Sequence, residues 1–180
     1  MRTSFFVAAL LASALAGPVT AQAAASSAMS GASAASDATF VKKAVTSDMY
    51  EIQASQLAQT KATSADVKSF ASRMITDHTK TSDRLKAILA SKSGLKPPTA
   101  LDATHRGLLN RLRSASGSSF DHLYVQQQVG AHQQAVMLFT SESQNGKDSD
   151  LKNFASETLP TLQQHLTMAQ QLQKGGAATP

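Results

Sequence analysis

The 180-residue chain contains no cysteine and carries a formal net charge of +5. The missing thiols exclude a disulfide scaffold, a thiolate metal site, cysteine catalysis and a lipid-modified cysteine after export. The basic residues are scattered, with few aromatics between them, which argues against nucleic-acid binding and leaves only a mild attraction to anionic surfaces. There is also no phosphate-cradling loop, dinucleotide-binding glycine fingerprint or serine elbow.

Residues 1–23 read as a secretory signal, with Arg2 at a basic start, an apolar run over Phe5–Ala16 and a small-x-small pattern at Ala21-Gln22-Ala23. A retained membrane anchor is the alternative, but the apolar run of about 12 residues is shorter than the roughly 20 that span a bilayer. Cleavage near Ala23 removes only Arg2 from the charge and leaves +4. The mature protein is then expected in the periplasm, or otherwise exported in a bacterial envelope, with no transmembrane helix. Residues 24–36 are Ala/Ser/Gly-rich and aperiodic, as in a disordered tether. Residues 175–180 form a similar tail.

The domain itself is expected over residues 37–174 as four long helices. The first runs from about Asp37 to Lys61, with Phe40, Val41, Ala44, Val45 and Ile52 on one broad side and Glu51 leaning inward. The second starts from Ser64, a capping residue, and continues to about Lys92, where Gly94, Pro97 and Pro98 stop it. A link over Ser93–Gly117 holds one short amphipathic helix, with Leu101, His105, Leu108 and Leu112 on its apolar face. The third long helix, Ser119–Gln144, lines Asp121, Val125, Gln128, His132, Val136 and Phe139 along one stripe. Asn145-Gly146 signals a turn. The fourth, Ser149–Gln173, turns Leu151, Phe154, Ala155, Leu162, His165, Leu166 and Ala169 inward and carries Pro160, which should bend it.

Two tight helical pairs joined by a long link predict an all-α, ferritin-like four-helix bundle. A plain up-down-up-down bundle needs only a few residues in the middle connection. The second helix is roughly 42 Å long, and the link can cover that distance with its short helix and extended remainder. The link is therefore expected to cross back along the whole bundle.

The chemistry gathers around the segment R-M-I-T-D-H-T at 73–79. Stepping about 100° per residue, Val67, Ala71, Met74, Leu85 and Leu89 fall within about 40° of one direction, and His78 lies among them. A buried stripe thus contains an imidazole. At 1.5 Å per residue, Glu51, His78, His132 and His165 stand at roughly 17, 23, 20 and 14 Å from the first hairpin turn. One inward polar group per helix near a common height can bind a metal ion, such as zinc, copper or iron, through nitrogen and oxygen. The same four can instead satisfy one another as a structural polar layer.

Three further residues support this layer or border it. Asp77 is turned about 100° from His78 and is placed to accept a hydrogen bond from a neighbouring helix, or from Arg73 or Lys80 on its own. Asp121 is too far along its helix to join the four and reads as a carboxylate favoured in the first turn. Tyr124 reads as a boundary residue whose hydroxyl needs a partner if covered. Met74 and Met168 read as core filler.

R-M-I-T-D-H-T at 73–79, S-F-D-H-L-Y at 119–124, His132 with Val136–Phe139, and L-P-T-L-Q-Q-H-L at 159–166 resemble an exported bacterial family known as domain of unknown function 4142. The resemblance covers about Asp37 to Gln173. It implies a ferritin-like bundle and a periplasmic or outer-membrane setting, with no assigned activity. An outer-membrane barrel is not implied, since no alternating strand pattern is present. Di-iron sites of ferritin-like proteins take a glutamate three residues before each ligating histidine. Here Ile75, Val129 and Leu162 stand at those positions.

The expectation is an exported, non-catalytic bundle that binds a metal ion or small ligand at a central His/Glu layer. One alternative is a structural or interaction module, with partners among envelope proteins and polar surface at Gln126–Gln128, Gln163, Gln164, Gln170 and Gln171. A degenerate ferritin-like metal oxidase is the third reading.

Overall fold

The computed structural model describes the backbone of residues 20–175 and the side chains of residues 37–175. Most of the expected leader and nearly all of the expected tail lie outside the described residues. Five helices follow in order: α1 (Thr20–Lys61), α2 (Ala65–Leu89), α3 (Ala103–Ser114), α4 (Gly117–Asn145) and α5 (Ser149–Lys174). Helix α1 begins well before Asp37 and takes in the segment read as a tether. The alanines there favour helix, a propensity that outweighs the serines, the glycine and the lack of an apolar period. Among the described residues no helix is long and apolar enough to cross a membrane.

Local chemistry explains the helix ends. The Ser64 hydroxyl accepts the Val67 N–H at the start of α2. Asp102 caps α3, and Asp148 caps α5 through the N–H groups of Asp150 and Leu151. Gly117 enters α4 at φ +57°, a conformation that glycine adopts without steric cost. Pro160 sits inside α5 without ending it.

Side-chain contacts between helices fix the topology. Phe40 and Ser55 of α1, and Thr63 just beyond its end, meet Phe139, Tyr124 and Asp121 of α4, so these two helices run antiparallel. The N-terminus of α4 therefore stands beside the α1–α2 turn, where α2 also starts. Helices α2 and α4 run the same way, and the link returns along the bundle as expected. Helix α5 runs against α2, with Lys92 bonded to Asp148 at one end and Arg73 to Gln164 further along. In cross-section α1 lies beside α2 and α4, and α5 lies beside the same two. Helix α3 packs on α1 and α4 through the buried Leu109 and Leu112. His105 and Leu108 of its expected apolar face are only partly buried.

Among the buried positions, one run on each of α1 and α4 recurs at alternating spacings of four and three: Val41, Ala44, Asp48, Glu51, Ser55 and Ala58 in α1, and Val125, Gln128, His132, Ala135 and Phe139 in α4. This is the pattern of near-parallel helices packed knobs-into-holes. Leu166, expected inward on α5, is only partly buried.

The apolar core is in two parts. One, around Tyr50, Ala58, Met74, Phe120 and Tyr124, lies toward the α1–α2 turn. The other, around Phe40, Leu85, Phe139, Leu151 and Phe154, lies toward the α4–α5 turn. His78, His132 and His165 sit between them.

At the α4–α5 turn, Asp37 accepts the N–H groups of Lys147 and Asp148, and Glu142 is buried nearby. Burial, then the charges of Asp37 and Asp148, push the Glu142 carboxyl up from 4.5 to about 7. The folded chain thus holds a proton that the unfolded chain releases. This contribution to stability is complete below about pH 4.5 and is lost as the pH rises through about 7. Urea unfolding between pH 5 and 8 should show that decline, and Glu142→Gln should flatten it. An unchanged slope in the variant would assign it to other groups.

Candidate metal centre

The bundle brings three of the four sequence-predicted ligands to one point. His78 of α2, His132 of α4 and His165 of α5 are 3%, 1% and 1% exposed. Their ring centroids form an almost equilateral triangle with sides of 5.6, 5.5 and 5.4 Å. One ligating nitrogen from each lies within 4.8 Å of those of the other two.

Each ring is held from behind through its other nitrogen. His78 Nδ1 lies 2.8 Å from Asp48 Oδ1, and the Ser82 hydroxyl donates to the other oxygen of that carboxylate at 2.9 Å. His132 Nδ1 lies 2.9 Å from the Gln128 carbonyl oxygen, one turn back on α4. His165 Nε2 lies 2.8 Å from Asp77 Oδ2. With those nitrogens donating, the tautomers are set, and the remaining three are free to accept or to ligate. These are His78 Nε2, His132 Nε2 and His165 Nδ1, all buried and without a hydrogen-bond partner.

The electrostatics differ from ring to ring. Burial, helped by the neighbouring His78, drives His132 down to about 3. Burial likewise lowers His165, against the opposing effect of the hydrogen bond that it donates to Asp77. For His78 burial works in the same direction, but the hydrogen bond and charge of Asp48 outweigh it and the net shift is upward. Three clustered imidazoles thus disfavour further protonation, and the one backed by a buried carboxylate best tolerates positive charge.

Glu51 belongs to the same polar zone but not to the triad. It is buried, and neither carboxylate oxygen has a hydrogen-bond partner of ordinary geometry. Burial raises its carboxyl from 4.5 to about 7, with His78 and the nearby Gln128 amide opposing. Equal height along the bundle did not place it within ligating distance of the three nitrogens. The α1 carboxylate that reaches a histidine is Asp48, one turn away. Sequence reasoning missed Asp48, although its position three residues before Glu51 on the inward stripe was a legible signal.

The supporting residues take specific places. Asp77 accepts from His165 and, at 3.3 Å, from Arg73 Nε on its own helix. Partial burial would raise its carboxyl, but these partners outweigh burial and hold it below the usual range. Asp121 does not serve its own helix. It is 2% exposed and accepts the Thr63 and Ser64 N–H groups and the Thr63 hydroxyl across the bundle. Tyr124 is fully buried rather than at a boundary, with its hydroxyl 2.8 Å from Ser55 Oγ. Gln128, counted in a surface glutamine run, is buried as well, while Gln126, Gln163 and Gln164 are exposed.

The donor set suits a metal ion. Buried polar atoms without partners are costly, and here three imidazole nitrogens face one another with none. Three nitrogens about 2.0 Å from one ion would stand roughly 3.5 Å apart, so each ring would close inward by less than about 1 Å. Imidazole nitrogen suits zinc and copper, and hydrogen-bonded partners behind each ring are the usual support for such ligands.

The sequence matches the family described as Domain of unknown function (DUF4142) over residues 20–172. The chain belongs to this family. No curated protein sequence matches it. Among solved structures it is similar to CopM in the Cu(II)-bound form, with a TM-score of 0.66 and 18% identity, covering 77% of this chain and 96% of that one. Two further CopM structures, Ag-bound and Cu(I)-bound, match with TM-scores of 0.65 and 0.64, each at 19% identity and over 78% of this chain. They cover 96% and 97% of those chains. At these identities the likeness establishes the shared bundle fold.

Proposed function

We propose that this DUF4142 protein binds a single transition-metal ion, copper in the first place, between His78, His132 and His165. It does so as an exported, non-catalytic protein of the bacterial envelope. The observation that carries the reading is a buried triad of imidazoles that brings one nitrogen of each ring within 4.8 Å of the others, each ring keeping one buried nitrogen without a hydrogen-bond partner. Asp48, the Gln128 carbonyl and Asp77 orient the rings, while Asp48 and Asp77 also supply negative charge behind the ion. Glu51 adds a carboxylate beside the site and becomes a fourth donor if its side chain turns toward the triad. The metals printed for the CopM structures favour copper over zinc or iron for this chain. Export rests on residues 1–23. The absence of glutamate at positions 75, 129 and 162 speaks against a ferritin-like oxidase.

Equilibrium dialysis against copper, zinc and iron tests the reading. Wild-type protein should retain about one ion per chain, and a His78→Ala/His132→Ala variant should bind more than about a hundredfold more weakly. Equal retention by the two proteins would leave the alternative, a packing layer in an interaction module.

A further inference from the structure

The triad is sealed on most sides. Behind His78 the side chain of Asp48 is only 8% exposed, and behind His132 stands a helix carbonyl of the fully buried Gln128. Helix α3 lies over α1 and α4. The third outer contact is different. The Asp77 side chain behind His165 is 27% exposed, at the seam between α2 and α5 that α3 leaves uncovered. Two open surface clefts of about 520 Å³ each border this seam, and Arg73 and Met168 line both.

Arg73 closes the seam above Asp77. Its Nε lies 3.3 Å from Asp77 Oδ2, the same oxygen that accepts from His165. Its other nitrogens reach Gln164 Oε1 at 3.1 Å and the Met168 sulfur at 3.9 Å. The Arg73 side chain is itself 49% exposed, so these contacts are solvent-screened and readily broken.

We propose that the α2–α5 seam is the route by which metal enters and leaves the histidine triad, with Arg73 as its gate. This deepens the metal-binding reading above and rests on it. With Arg73 in place, a cation meets its guanidinium, which shares Asp77 Oδ2 with His165 and contacts the thioether of Met168. When Arg73 swings into solvent, the repelling charge leaves. The part-exposed Asp77 carboxylate and the thioether of Met168 are then left on the seam without the guanidinium, an oxygen and a sulfur donor suited to transient capture of copper. No covalent chemistry is involved; the ion exchanges ligands.

Stopped-flow uptake of Cu(II), and its release to a chromophoric chelator, test the gate in the full chain. Arg73→Ala should speed uptake and release together by about fivefold, with a much smaller change in equilibrium affinity. Gln164→Ala, which removes one hold on the guanidinium, should shift both rates the same way by less. Unchanged rates in both variants would overturn the gate, as would a loss of affinity with no gain in uptake rate. If wild-type protein takes up no metal, the metal-binding reading fails as well. If it binds metal and the rates do not move, only the gate fails.

Discussion

Replacing His132 with leucine is expected to leave the metal-free protein at least as stable as the wild type, while abolishing the stabilisation that copper confers. The reasoning is one of unmet hydrogen bonds. His132 Nε2 is buried without a partner, and the ring stands beside two other imidazoles. An apolar side chain of similar volume removes that penalty and keeps the packing. The native ring is then retained at some cost to the empty protein, which a bound ion offsets. At a free metal concentration a thousandfold above its Kd, binding stabilises the native state by about 4 kcal/mol. Thermal or urea unfolding with and without copper should show a gain of that size in the wild type and none in His132→Leu. A leucine variant that is destabilised yet still gains from copper would show that the ring serves packing.

The second large effect belongs to a residue outside the triad. Asp121→Ala should cost about 3 kcal/mol of stability, since a charge-assisted network is lost and the donors it served stay partly buried. Asp121 joins the start of α4 to the α1–α2 turn through the Thr63 N–H at 3.1 Å and the Ser64 N–H at 2.8 Å, and it also accepts the Thr63 hydroxyl. Removing it leaves two backbone donors of that turn without their acceptor. Thr63→Ala, which removes only the hydroxyl, should cost about 1 kcal/mol. A lower urea midpoint at unchanged slope is the expected readout. Copper retention should persist in both variants, because Asp121 belongs to the α1–α2 turn end of the bundle. A midpoint within experimental error of wild type would remove Asp121 from the residues that hold the bundle together.

These two residues also show how far the sequence reaches. Periodicity placed both on the inward face of one helix, since spacing along a helix determines which side chains share a direction. It could not say what each would meet. Asp121 looked like a carboxylate serving its own first turn, and the crossover instead set it against the turn between α1 and α2. His132 looked like one of four polar groups at a common height, and it joined two of the other three.

The four long helices, the crossover, and the heights of His78, His132 and His165 follow from the sequence alone. Each depends on local propensity, on hydrophobic spacing or on the reach of a linker. The choice between Glu51 and Asp48 as the carboxylate behind a histidine needed the tertiary structure. They lie one turn apart on the same face, and only the packing of α1 against α2 decides which one His78 touches. The same holds for the opening to solvent. The seam between α2 and α5 is not covered by α3, which packs on α1 and α4 instead, a matter of where the chain passes in space that no pattern along it records.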